Sequence, residues 1–390
     1  MKVLEFLKAQ FHVRSNTLYD IPLIYCMVIL VGVGFIMVTS ASMPTAIRMF
    51  DNPFHFTIRH VVYLVLSMSL LMISTSLPMS FWKKANLPLL LAGVPMLIAV
   101  LVIGREVNGS TRWIGLGPIN IQVSEVAKLF FFCYLAGYLV RKKSEVQENL
   151  KGFIKPLAVF TVYAFLILMQ PDLGTVVVMF VTTVGLLFLA GARLWQFFAL
   201  MMAGVGLVVL LIASSPYRRA RITGFMDPWD DPFGKGYQLV QSLMAYSRGD
   251  WFGQGLGNSV QKLQYLPEAH TDFIFAILAE ETGFIGVLSV LTVLFVLIFR
   301  ALNIGFNALK AGKDYEGYLA LGIAIWFAFQ SMVNVGASAG ILPTKGLTLP
   351  FVSYGGSSLL VMTVAAGILL RVDFEVKMAT KQATVRGRKS

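Results

Sequence analysis

From Gly253 the chain reads GQGLGNSVQKLQYLPEAHTDFIFAILAEETG, a polar, glycine-rich loop that becomes an apolar helix at about Asp272. Glu268, His270 and Asp272 crowd the join, and Glu280 and Glu281 lie inside the apolar part. Carboxylates at the mouth of a membrane helix, or within it, are costly and so point to function. The chemistry such a group offers is acceptance of a proton. A structural reading competes, because Thr271 or Asp272 is also a good helix cap, worth about 1 kcal/mol. A helix N-terminus favours the ionised carboxylate and lowers its pKa, which keeps Asp272 ready for a proton but weakens it as a base. Glu280, eight residues on, falls about 12 Å deeper by helical rise and within about 80° of the same face. As a buried acid it is expected to be paired or protonated and could tune Asp272, whereas Glu281 faces the other way.

Other charged residues could complete a site for an anionic substrate. Arg218, Arg219 and Arg221 follow an apolar span, and arginine suits bidentate phosphate binding. Snorkelling arginines that anchor a helix end would look the same. Glu125 and Lys128 in QVSEVAKLFF are spaced to pair on one helix face, either as a structural ion pair or as the lining of a phosphate site. The run LPTKGLTLPFVSYGGSS breaks helix at Pro343, Gly346, Pro350, Gly355 and Gly356 within an apolar setting. Non-helical backbone at that depth is tolerated only where protein buries it or it lines a wet cavity. It reads as a re-entrant element beside Asp272, with Lys345 available for an anion and Ser353 a further substrate contact. The stretch NGSTRWIGLGP reads as an interfacial turn. No zinc motif or P-loop is present, and the four histidines lack metal-ligand spacing. No resident cofactor is expected. A divalent cation such as Mg or Mn could bridge a pyrophosphate and a carboxylate, but the sequence carries no signature of one.

What positions these residues is a membrane-embedded helical frame. The 390 residues are 57% hydrophobic and only 13% charged, where a soluble chain carries about a quarter charged residues. Apolar spans near 18–40, 58–77, 87–103, 123–140, 157–171, 173–191, 196–214, 273–299, 316–337 and 357–372 predict about ten transmembrane helices. The fifth and sixth are separated only by Gln170-Pro171-Asp172-Leu173-Gly174 and form a tight hairpin. The fold class is an all-α polytopic membrane protein. A cytoplasmic segment at 1–17 precedes a domain at 18–372, and a basic tail occupies 373–390. The first span is too long for a cleaved signal peptide. Cys26 and Cys133 both fall inside apolar runs, so no disulfide framework is expected.

With the N-terminus inside, twenty Lys and Arg fall in the inner segments and five in the short outer loops. This bias puts both termini in the cytoplasm. The large loop at about 215–272, between the seventh and eighth helices, then lies outside. It holds Trp229, Phe233, Tyr237, Tyr246, Trp251, Phe252 and Tyr265, which argues for order, and residues 236–247 read as an amphipathic helix along the interface. The loop is either a membrane-surface cap or a substrate shelf. The net charge of +12 is explained by membrane topology and lipid contact, not by nucleic acid.

Five motifs, NGSTRWIGLGPINIQVSEVAK, QPDLGT, YRRARITGFMDPWDDPFGKGYQ, GQGLGNSVQKLQYLPEAHTDFIFAILAEE and LPTKGLTLPFVSYGGSS, resemble in sequence and order the SEDS family of bacterial cell-wall proteins (shape, elongation, division and sporulation). The resemblance spans nearly the whole chain, and QKLQYLPEAHTDF together with the last motif is more similar to the division members than to the elongation members. It implies a peptidoglycan glycosyltransferase of the inner membrane, at the division septum, that joins lipid II units into glycan strands with undecaprenyl pyrophosphate as leaving group. The family's essential acid falls on Asp272. Arg218, Arg221, Lys128 or Lys345 would neutralise the pyrophosphate, with Glu125, Glu268, His270 and Ser353 as further substrate contacts. Implied partners are a class B penicillin-binding protein of the FtsI type, other membrane proteins of the division complex, and membrane lipids. Two readings of other classes stand beside it. A lipid II flippase would need a deep hydrophilic cavity, whereas these charges cluster at the outer face. A scaffold that only recruits the septal transpeptidase would need neither Asp272 nor the arginines.

Overall fold

The computed structural model describes residues 18–107, 110–116, 119–343 and 346–387, apart from the side chains at 105–107, 110–111, 116, 119, 217–218 and 383–387. Among the described residues, eight helices are long and apolar enough to cross a membrane: α1 (Ile21–Phe50), α2 (His55–Ser76), α3 (Met79–Ile103), α4 (Val123–Arg141), α6 (Leu150–Leu168), α8 (Leu194–Ala213), α11 (Ile274–Lys310) and α12 (Asp314–Ser338). The two other expected spans fall on the shorter apolar helix α7 (Leu173–Leu189) and on α13 (Gly356–Gly387). A short helix α5 (Lys143–Glu148) links α4 to α6, and α9 (Pro216–Met226) and α10 (Tyr237–Gly249) occupy the large loop.

Burial orders these helices. Of the most apolar stretch, 83% is buried in α4 and 72% in α12, against 6% in α8. The centre of the molecule is therefore α4 and α12 packed on one another, flanked by α3, α7 and α11, while α8 leans only on its neighbours at the periphery. Exposed side chains such as Val102, Met202 and Phe295 form the outer surface of this bundle, as expected where lipid tails replace water.

Two polar layers tie α1 to α11, an ion pair at one end and a hydrogen bond near the other. At one end Asp20 caps α1, accepting from the Leu23 N–H (2.9 Å), and also receives Arg300 Nε at 3.1 Å. Twenty residues along α1, or about 30 Å at helical rise, Ser40 donates to Glu281 at 2.6 Å. That separation matches the hydrocarbon thickness of a bilayer, about 30 Å.

The sequence suggested one helix running inward from Asp272, and the structure corrects this. Residues 271–273 are turns, Phe273 takes the N-cap position without a side-chain bond, and α11 is broken at Gly283 (φ 68°, ψ −167°). The break is filled by the loop after α10. Gln254 and Gly255 donate their N–H groups to the carbonyls of Glu280 and Glu281 (2.9 and 3.0 Å), and Phe284 and Ile285 donate to Asp250 and Trp251 (2.8 and 3.3 Å). These four bonds give backbone groups freed at the break partners within the protein, which is what permits a broken helix inside a membrane protein. A Cβ on Gly283 would lie 2.7 Å from both Phe252 N and Trp251 C, so the close approach requires glycine.

The loop between α3 and α4 also departs from expectation. It forms a three-stranded antiparallel sheet of β1 (Arg105–Val107), β2 (Ser110–Leu116) and β3 (Ile119–Gln122), with Trp113 opposite Gln122 and Ile114 opposite Ile121. Alternation over only a few residues beside turn glycines was too short a signal to separate strand from turn.

Candidate active site

The large loop is a set of anchored segments. Helix α10 buries Leu239, Val240 and Ala245 against α11, and its Ser242 Oγ donates to the Ser338 carbonyl (2.6 Å) while Tyr246 meets Ser338 Oγ at 3.0 Å. The amphipathic face thus packs on protein. Ser338 lies in GASAG, a nucleophile-motif spacing that reading the sequence did not pick out, but it sits at the end of α12, fully buried, with its hydroxyl donating to Val335 O.

Both acids inside the apolar run serve as anchors. Glu280 accepts from Ser259 Oγ and from the N–H groups of Val260 (3.0 Å) and Gln261 (3.2 Å), with Arg248 at 3.2 Å. Glu281 accepts from Lys262 Nζ at 2.7 Å, and the same ammonium reaches Ser40 at 2.8 Å. Glu280 is therefore not a modulator of Asp272; it holds the loop that leads there.

The loop then turns at Glu268 (φ 53°). Its carbonyl accepts from the N–H of Thr271 and of Phe273, both at 3.2 Å, and its carboxylate accepts from Thr271 Oγ1 at 2.6 Å. Asn334 on α12 donates to the Asp272 carbonyl (3.0 Å) and to the Leu347 carbonyl (2.6 Å), clamping the junction against the segment after Gly346. Tyr354 N–H donates to the His270 carbonyl at 3.0 Å as a second tie. The two helix-breaking stretches of the sequence are thus side by side. A Cβ on Gly346 would lie 3.2 Å from Asp272 Oδ2, so glycine lets that strand of backbone approach the carboxylate.

Asp272 keeps a partly exposed surface, and among the described residues no side chain donates a hydrogen bond to its carboxylate. Protein surrounds it closely enough that lost hydration dominates its titration. Burial pushes the pKa up to about 7, the charge of Glu268 adds to the rise, and Arg221 and Arg112 oppose it, with Asp172 a smaller raising influence. This reverses the sequence expectation, since Asp272 neither caps α11 nor sits in its first turn. A carboxylate with a pKa near the working pH is a better general base than one held at the ordinary carboxylate value. His270 packs its ring at a tilt against Phe56 (4.8 Å) and Tyr354 (5.6 Å), and burial lowers its pKa.

Two of the charges acting on Asp272 were not singled out by sequence reasoning. Arg112, on β2, donates to the carbonyls of Gln170 (2.9 Å) and Pro171 (2.6 Å), so the sheet holds the α6–α7 hairpin. Asp172 caps α7 through the Thr175 N–H (3.1 Å) and also receives Gln122 and Ser124 at 3.3 Å. Arg112 was the sole charge in NGSTRWIGLGP and Asp172 a charge beside a proline; read as turn residues, they gave no sign of converging with the 268–272 junction.

The remaining sequence candidates occupy varied places. Arg221 acts on Asp272 from α9, whereas the Arg218 side chain and Lys345 lie outside the described residues. Glu125 and Lys128 pair at 2.9 Å beneath the site, with Lys128 wholly buried, 4.5 Å over the Trp326 ring and 3.2 Å from Gln330 Oε1. Gln330 in turn donates to the Thr348 carbonyl at 2.9 Å, so this pair supports the re-entrant segment from below. Ser353 is buried, with its Oγ accepting from Leu349 N–H (2.8 Å) in a turn of that segment.

These features can be compared with known proteins. The family model FTSW_RODA_SPOVE, described as cell cycle protein, matches residues 21–378. A protein of Pseudoalteromonas translucida named probable peptidoglycan glycosyltransferase FtsW is 76% identical over 375 residues, covering 96% of this chain and 94% of that one. One of Alteromonas naphthalenivorans with the same name is 65% identical, covering 95% and 72%. Among solved structures, a chain from a peptidoglycan synthase complex that coordinates polymerization and crosslinking is 28% identical with a TM-score of 0.74, covering 92% of this chain and 98% of that one. The Thermus thermophilus rod shape determining protein RodA is 27% identical with a TM-score of 0.68, covering 91% and 96%. The helical frame, the junction at Asp272 and a match that spans all but the two ends agree: the chain belongs to the FtsW/RodA/SpoVE family.

Proposed function

We propose that this chain is a peptidoglycan glycosyltransferase that joins lipid II units into glycan strands at the outer face of the inner membrane. The observation that carries the reading is Asp272, an uncapped carboxylate with raised proton affinity, set among Arg112, Arg221 and Glu268 where the large loop meets the re-entrant segment. Asp272 removes the proton from the 4-hydroxyl of the acceptor GlcNAc. The oxygen attacks the anomeric carbon of the growing chain's terminal MurNAc, the bond to undecaprenyl pyrophosphate breaks, and the configuration inverts from α to β. Pyrophosphate leaves readily once its charge is neutralised, so no second carboxylic acid need protonate it, unlike glycoside hydrolysis. The positive field of Arg221 and Arg112, with Arg218 and Lys345 nearby in sequence, supplies that neutralisation. Asp272, Glu268 and Asp172 are hard oxygen donors of the kind Mg or Mn accepts, though among the described residues no three carboxylates, histidines or cysteines gather as a metal site.

The likeness to a chain of a complex that coordinates polymerization and crosslinking supports a crosslinking partner, which we take to be a class B penicillin-binding protein at the septum. The test is glycan-strand synthesis from lipid II in liposomes by the purified chain, with and without that partner. Polymer formation supports the reading. Transbilayer movement of lipid II with no polymer under either condition would replace it with a flippase.

A further inference from the structure

At the end of the molecule opposite Asp272, the last turn of α11 and the end of α13 enclose an open cleft of about 530 Å³. Its walls carry Lys310, Lys377 and Lys381 against one acid, Asp373, with Asn307 and Thr380 as neutral polar groups. The bias of basic residues toward the cytoplasmic side asks only for a number of them, not for convergence of residues from two helices on one concavity. Complementing the C-terminal end of α11 needs one cation, and Lys310 supplies it. Lys377 and Lys381 come from a different helix. Lys377 is fixed by Asp373 at 2.6 Å, one turn earlier on α13, which holds its ammonium in place.

Depth narrows the ligand. Lys310 lies ten residues past Arg300, whose pairing with Asp20 marks the ion-pair layer, and Lys377 lies six past Arg371. These are about 15 and 9 Å along the helices, and lysine stems extend back toward the interface. We propose that this cleft binds a phosphate group, and that its source is the headgroup of an anionic phospholipid of the inner leaflet. Such lipids give that surface its negative potential, and each lysine near it contributes roughly five-fold in affinity.

The experiment measures lipid retention by native mass spectrometry of the full-length protein exchanged into nanodiscs of phosphatidylglycerol and phosphatidylcholine. Wild type should retain phosphatidylglycerol preferentially. The Lys310→Gln/Lys377→Gln/Lys381→Gln variant should lose that preference by roughly a hundred-fold. Lys310→Gln/Lys381→Gln, which leaves the Asp373–Lys377 pair intact, should lose roughly thirty-fold and guards against a folding defect in the triple variant. Equal retention by wild type and both variants, or no preference over phosphatidylcholine, would overturn the site. Displacement of phosphatidylglycerol by millimolar inorganic phosphate would overturn the lipid source in favour of a free anion.

Discussion

Replacement of Gly283 by alanine tests whether the broken helix holds the active-site loop. Gly283 has φ 68° and ψ −167°, a region open essentially to glycine alone, where another residue stores about 1–3 kcal/mol of strain. The new Cβ would also press on Gly253 N, Phe252 N and Trp251 C, and overpacking of this kind costs about 1–3 kcal/mol. Together the two effects predict a loss of about 2–6 kcal/mol, relieved only by expelling the 250–255 loop from the break. Two other glycines separate the contributions. Gly312 has φ 74° with open space around it, so Gly312→Ala carries backbone strain alone. Gly206 is helical in α8 with nothing near its Cβ position, so Gly206→Ala is expected to be neutral or stabilising by up to about 1 kcal/mol. Thermal unfolding in detergent, paired with glycan synthesis, should rank stability as Gly206→Ala, then Gly312→Ala, then Gly283→Ala, with activity lost only in the last. A Gly283→Ala protein as stable and active as wild type would refute the loop-in-break architecture.

Further consequences follow from the charges. Because Asp272 is pushed up to about 7 and must be ionised to accept a proton, the rate of strand synthesis should rise with pH through about 7 and level off above it. Glu268→Gln removes a raising influence and should move that limb to lower pH, whereas Arg112→Ala should move it higher; unchanged profiles would contradict the assignment. A carboxylate whose folded pKa exceeds its unfolded value costs stability above the unfolded value, the cost growing until the folded pKa is passed. Asp272→Asn should therefore melt at a higher temperature than wild type at pH 8, with the difference vanishing near pH 4. Lys262→Met and Glu281→Gln each leave a buried charge uncompensated and should each cost about 3–5 kcal/mol, with the double variant costing less than the sum; additive costs would show that the pair is not coupled.

The frame was legible because lipid imposes it. Long apolar runs have few alternatives in a membrane, so the helices around Leu30, Phe131 and Trp326 follow from hydropathy alone. The join at 268–272 was visible as charge where a helix should begin. Its protonation behaviour was not, because the burial that raises the Asp272 pKa is imposed by segments distant in sequence, while local spacing showed only a helix cap that would lower it. The break at Gly283 was hidden for a related reason: glycine within an apolar run is common in membrane helices, and only the 250–255 backbone, some thirty residues earlier, makes it a hinge point. Arg112 and Asp172 act on Asp272 through the fold, not through spacing, so single-chain pattern reading had no purchase on them.

The most direct test of Asp272 as the base is strand synthesis from lipid II at pH 8 by wild type and Asp272→Asn, each with the partner transpeptidase and each shown to be folded by thermal unfolding. A placed general base contributes about 10²–10⁴-fold in rate, so the asparagine protein should polymerise at least about a hundred-fold more slowly while melting no lower than wild type. Equal rates from the two proteins would remove Asp272 from the chemistry.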